Sequence, residues 1–235
     1  MMIMIDFNCI TMQLKLSFSQ KKYNILQMSS NNHVFIVDYD VGVHVGFNGF
    51  LSHSLKFAVE KGMRSCQVFM GDQTSFSRAK IDMNDIIECQ KIQNRFPIHF
   101  FSHFPFTASL CGSVGSLAWN GDDIQNKKTS FMLRQLENEL DVFANFTTDK
   151  SRSGVVIHPG CNTNTREGLI SISKSINKIK FAPCAKLILE NSAGEGKKLC
   201  KNFDEFMCIF NMIEPQKRVN VGICIDTAHI HGQGD

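Results

Sequence analysis

The chain has 235 residues, 43% of them apolar, and a net charge of +3. That apolar content suits one large buried core rather than two small ones, while so mild a charge excludes a long-range field as the basis of function, leaving any nucleic acid to be held by a local basic lining. No run approaches the length that spans a bilayer, and the opening MMIMIDFNCITM carries Asp6 and no cationic start, so a soluble, non-secreted protein is expected.

The elements follow in chain order. Residues 1–37 lack clear periodicity, and Met28, followed by Ser29-Ser30-Asn31-Asn32, offers an alternative start. This stretch reads as a flexible leader with no role, ahead of a folded domain over 38–235. VGVHVG (41–46) reads as a strand, Leu51, Leu55, Ala58 and Val59 as a helix, and SCQVFM (65–70) as a second strand. Ile86, Ile87 and Ile92 mark a helix before IHFFSHF (98–104), and Leu133, Leu136, Leu140 and Phe143 another before GVVIHPG (154–160). Leu169, Ile172, Ile176 and Ile179 precede KLILEN (186–191), and Phe203, Phe206, Phe210 and Ile213 precede VGICIDTAH (221–229).

Strands that alternate with helices predict a parallel α/β fold, because parallel neighbours need crossovers. An open doubly wound sheet can stop at six strands, whereas a (β/α) barrel needs eight. The first strand runs into GVHVGFNGF rather than a glycine-rich phosphate fingerprint, which counts against a dinucleotide-binding open sheet. The nine cysteines stand singly, with no C-x-x-C pair, as expected of buried thiols in a reducing intracellular compartment, cytoplasm or nucleus.

Each apolar run ends in a polar group: His44, His103, His158, Glu190, Asp226 and then His229. In a parallel barrel the strand carboxyl ends open onto one face, so groups remote in sequence converge there. Imidazoles and carboxylates suit zinc or manganese, and such cations suit hydrolysis of phosphate esters. Singly, His103 and His158 read equally well as hydrogen-bonded structural histidines. Glu190, closing Leu187-Ile188-Leu189, must be paired or ligated if buried. Asp226 has the alternative of capping a helix that starts after Thr227. His33, His53, His99 and His231 read as leader, surface or packing residues. Lys127-Lys128 reads as solvated surface, and so does Lys197-Lys198, although the latter pair follows a strand-end loop from which a phosphate can be reached.

Read in order, GVHVG (42–46), SHFPF, VVIHPG, LILENSAGEG and CIDTAH resemble the endonuclease IV family of apurinic/apyrimidinic endonucleases, over about Val41 to Gly234. The resemblance implies a TIM (β/α)8-type barrel, of which about six β/α units are present here. It also implies up to three zinc ions and a base-excision-repair activity: hydrolysis of duplex DNA 5′ to an abasic site, leaving a 3′-hydroxyl. By the same resemblance His103 and His158 hold the first metal, Glu190 bridges first and second, Asp226 binds the second and His229 the third. Glu190 further holds the attacking hydroxide, and His44 supports the catalytic group from behind the ligands.

The sequence departs from the family at the DNA-contacting positions. A tyrosine of the family is here Phe106, which keeps a stacking ring, and the loop GDQTSFS lacks the arginine that members insert, leaving Gln73 as the nearest polar substitute. The family's last two strands have no counterpart, so fewer than three zinc ions are expected, and the chain by itself is expected not to cleave. Cleavage on this reading needs the absent strands from another chain or a longer product. An inactive remnant that binds DNA or does nothing, and a metal-dependent sugar isomerase or epimerase, are the alternatives.

Overall fold

A computed structural model describes residues 2–6, 42–112, 124–146 and 153–234. The elements are β1 (Met2–Asp6), β2 (Gly42–His44), α1 (Leu51–Glu60), β3 (Ser65–Val68), α2 (Met83–Arg95), β4 (His99–His103) and α3 (Ile124–Ala144). They continue with β5 (Ser153–Ile157), α4 (Thr165–Lys178), β6 (Leu187–Glu190), α5 (Phe203–Met212), α6 (Pro215–Arg218), β7 (Val221–Asp226) and α7 (Thr227–Gly232). All six strands read from the apolar runs are present, and each pairs in parallel with the next in chain order.

Helix starts follow from local chemistry. The side chains of Asp82, Asn164 and Asn202 accept the amides of Asn84, Glu167 and Glu205 and so start α2, α4 and α5. α1 has no cap of its own. The buried carboxylate of Asp85, on α2, accepts the amides of Leu51 at 2.7 Å and Ser52 at 3.2 Å, so one helix satisfies the orphan donors of its neighbour.

The two faces of the sheet differ. Phe100, Val155, Ile157, Leu187, Leu189, Val221 and Ile223 belong to the main core with the helices, where Phe100 packs its ring 5.4 Å from Phe143 and 5.5 Å from Phe146. The intervening positions Phe101, Val156, Ile188 and Cys224 form a separate small cluster across β4 to β7. Since each fully buried large side chain contributes roughly 2 kcal/mol, stability lies mainly on the helix side. The other face is free to carry polar groups.

At the edges, β2 has all three residues exposed. The edge of β7 is covered: β1 runs antiparallel along it, pairing Met2 with Asp226 through to Asp6 with Gly222, for a sheet order β1-β7-β6-β5-β4-β3-β2. Five leader residues thus pair with the last strand, while residues 7–37 of the leader lie outside the described residues. An unpaired central-type strand would present a row of free amides and carbonyls to other chains. Deleting residues 1–6 is therefore expected to make the protein associate with rising concentration in size-exclusion light scattering. A strictly monomeric deletion variant would show that β1 does not protect the edge.

Candidate metal centre

The site follows from strand alternation. Side chains two apart share a face, so Phe101, Val156, Ile188 and Cys224 are followed on their own face by His103, His158, Glu190 and Asp226. Parallel register then sets these groups side by side, with His103 opposite Val156 and Glu190 opposite Cys224. The structure brings together two groups of metal-ligating type, His103–His158–Glu190 and Glu190–Asp226–His229, the ligand atoms of each lying within 4.8 Å of one another. The five residues that the resemblance assigns as metal ligands lie in these two groups, His44 does not, and Glu190 belongs to both.

Glu190 has a side chain only 3% exposed. Its Oε2 lies 2.9 Å from His103 Nε2 and 3.9 Å from His158 Nε2, and its Oε1 lies 3.3 Å from His229 Nδ1. A hydrogen bond to the other ring nitrogen orients the His103 imidazole. The Phe104 carbonyl, 2.7 Å from His103 Nδ1, can only accept, so Nδ1 donates and Nε2 is the nitrogen turned to Glu190, hydrogen-bonded to its Oε2 at 2.9 Å. His229 Nδ1 lies 2.7 Å from the carbonyl of Asn191.

Burial is the largest cause that pushes the His158 imidazole down to about 4; His103, His229 and Lys198 act in the same direction and Glu190 opposes them. His158 is therefore neutral near pH 7, the state in which imidazole ligates. Its Nδ1 is buried without a hydrogen-bond partner, an orphan that a cation or an ordered water would satisfy. These residues fit a divalent cation: a shared buried carboxylate, a histidine with its tautomer set by a carbonyl, and a neutral histidine with an unmet nitrogen.

Asp226 takes the capping role and also stands beside His229. Its Oδ1 caps α7 by accepting Ala228 N at 2.8 Å, while Oδ2 lies 3.9 Å from His229 Nδ1. Sequence reasoning missed Asn191, whose side chain accepts the amide of Asp226 and donates to its carbonyl at 3.2 Å, bracing the end of β6 against the end of β7. Its place beside Glu190 in ENSAGEG was the available signal. The glycine of VIHPG has a backbone reason: Gly160 has φ of 120°, and a Cβ there would come 2.3 Å from Ser109 Oγ.

The other expected residues line the approach. His44, much of it open to solvent at the edge, has one face against Phe69 at 4.6 Å, and burial followed by His103 lowers its pKa. Phe69 also packs 5.1 Å from His103 and 5.2 Å from Phe106, and Phe106 in turn lies 5.1 Å from His103 and 5.7 Å from His158. Phe69 is a second residue missed in the sequence, where it reads as the end of a strand. A cleft of about 340 Å³ is lined by His44, Val45, Gly46, Phe47, Phe69, Gly71 and Gln73. Of the lysines after β6, Lys198 pairs with Glu195 and Lys197 is exposed. His53 lies on α1, His99 on β4 and His231 on α7, none of them in the two ligand groups.

Fold and site together define an α/β architecture of six parallel strands alternating with helices, with polar groups gathered at the strand carboxyl ends. The chain belongs to the xylose isomerase-like TIM-barrel family, whose model matches residues 55–235. It is 25% identical over 205 residues to a probable endonuclease 4 of Clostridium botulinum, covering 83% of this chain and 66% of that protein. A probable endonuclease 4 of Mycoplasma mycoides is 23% identical over 203 residues, covering 83% and 65%. The crystal structure of endonuclease IV from Thermus thermophilus superposes with a TM-score of 0.61 at 16% identity, over 81% of this chain and 64% of that one. The homology to endonuclease IV read from VIHPG, ENSAGEG and CIDTAH is thus present and distant, and the chain spans about two thirds of the length of these relatives.

The depressed His158 pKa carries a pH dependence. A histidine near 4 in the fold and near 6.5 unfolded binds more protons when unfolded, so stability rises with pH across that window. Metal-free protein is expected to lose up to about 3 kcal/mol on acidification from pH 6.5 to 4, by urea unfolding, at about 1.4 kcal/mol per pKa unit. His158→Gln should flatten this slope; an unchanged slope would place the effect elsewhere.

Proposed function

We propose that this chain carries the metal centre of a zinc-dependent abasic-site endonuclease of base excision repair, acting inside the cell on duplex DNA. Its reaction is hydrolysis of the phosphodiester 5′ to the abasic site, leaving a 3′-hydroxyl. The observation that carries this reading is the sharing of the buried Glu190 between two ligand groups at the strand ends. Distant homology to endonuclease IV proteins supports the choice of substrate.

A cation held there would polarise phosphoryl oxygens and lower the pKa of a water molecule. The protein's own residues divide the remaining work. His103 is held by the Phe104 carbonyl with Nε2 toward Glu190, so it needs no rearrangement to ligate. Asn191 keeps Asp226 and His229 in register with Glu190. Phe106, 49% exposed beside His103 and His158, offers a ring on which a base can stack. The cleft between His44, Phe69 and Gln73 is large enough for a sugar that lacks its base. His44 supports the centre from the edge strand, and Gln73 stands at the rim.

Two measurements test the reading. Since Glu190 serves both ligand groups, Glu190→Gln should remove all zinc retained after dialysis, whereas Asp226→Asn should spare the His103–His158–Glu190 group, as read by elemental analysis. Absence of zinc from folded wild-type protein would refute the centre. Zinc-loaded protein should also bind duplex DNA with an abasic site more tightly than intact duplex at one fixed salt concentration, because a missing base lowers the cost of extruding the nucleotide. Equal affinities would leave only phosphate attraction. In this chain, or in a version fused to the part of the Clostridium relative that it does not span, any cut should fall 5′ to the lesion. Glu190→Gln should slow that cut by about 100- to 1000-fold.

A further inference from the structure

The loop after β3 contains one arginine, Arg78, and it does not face the cleft. Its side chain is 3% exposed, with Nε 4.0 Å from Oε2 of Glu139, a residue of α3 whose side chain is fully buried. The guanidinium lies 5.7 Å over the ring of Phe104, and Nη2 donates to the carbonyls of Asp72 and Ser75 within the loop. Arg78 therefore ties together both arms of the loop, the chain just after His103, and the outer helix.

That loop reaches the site. The carbonyl of Gln73 accepts the amide of Phe106 at 2.8 Å, and the carbonyl of Thr74 accepts the Thr107 hydroxyl at 2.7 Å. Phe76 stacks on Phe104, whose carbonyl orients His103. Arg78 Nε and Nη1, both Glu139 oxygens and the Ser102 hydroxyl have no hydrogen-bond partner among protein atoms. Burial pushes the Glu139 carboxyl up to about 7, countered by Ser102, Arg78 and His103. Apolar side chains of similar volume would fill this space at lower cost than a buried, incompletely bonded pair. What they could not do is hold two loop carbonyls with one planar fork.

We infer that Arg78 and Glu139 are a buried positioning pair that sets the loop 71–79, and through it Gln73 and Phe106, against the mouth of the metal centre. The consequence for DNA rests on the reading of the cleft as an abasic-site pocket; the ordering of the loop does not.

The test uses the full chain as wild type, Arg78→Lys, and the double variant Arg78→Met/Glu139→Leu, which removes both charges and so leaves no orphaned ion to unfold the protein. Amide exchange over 71–79 and 104–107 should rise by about 10-fold or more in the double variant, while β5 and β6 exchange as in wild type. Zinc content should not change, and the ratio of abasic to intact duplex affinity should fall by about 10-fold, which general destabilisation would not cause. Arg78→Lys, a point charge without the fork, should not restore wild-type exchange. Loop exchange equal to wild type in the folded double variant overturns the inference, and raised exchange with an unchanged affinity ratio overturns its consequence for recognition. Failure of the abasic-site reading itself is distinct: wild-type protein would then show no abasic preference, whatever its loop does.

Discussion

The site depends on a carboxylate that water cannot reach. Glu190 ends the interior strand β6 with its side chain 3% exposed, and a buried carboxylate costs several kcal/mol unless other groups meet its charge. Imidazoles from three other segments of the chain converge on it. The Phe104 carbonyl turns His103, the Asn191 carbonyl meets His229, and Asn191 braces Asp226. Each of these bonds makes sense as support for one buried charge and for the cation that would share it.

Strand geometry makes the convergence possible at little cost to stability. One face of β4 to β7 packs into the main core with the helices, and the other carries a short apolar layer of Phe101, Val156, Ile188 and Cys224. The next residue on that second face of each strand is His103, His158, Glu190 or Asp226. The apolar layer forms the floor of the site, and the helices on the far side supply most of the burial. Polar residues can thus occupy the strand ends without opening the main core.

The approach to the site is built from less regular parts. Phe69 and Phe106 wrap the histidines with rings, and the loop carrying Gln73 is fastened from behind by Arg78 and Glu139. An arginine is present in this loop, but it is turned inward over Phe104 rather than outward to a ligand. Between β6 and α5, Cys200 adopts φ of 63° although it is not glycine, and its amide donates to Glu205 at 2.7 Å. That carboxylate acceptor helps hold a backbone conformation that L residues disfavour.

Much of this was legible in the sequence because the signals are local. Alternating apolar runs specify parallel strands and helices through their periods, and the candidate ligands stand at or just after the ends of those runs, so strand order and these candidates could be read without coordinates. The motifs VIHPG, ENSAGEG and CIDTAH carried the family for the same reason. Tertiary structure decided what depends on groups remote in sequence. The pairing of β1 with β7 joins Met2 to Asp226, and no periodicity in the leader could announce it. Asn191 looks like any polar loop residue until β7 is beside it, and Phe69 like any strand end until three rings surround it. Arg78 and Glu139 lie far apart in the chain, each readable as an exposed charge. Only the packing of α3 behind β4 removes both from water, and removal from water is what turns two surface charges into a constraint on the loop.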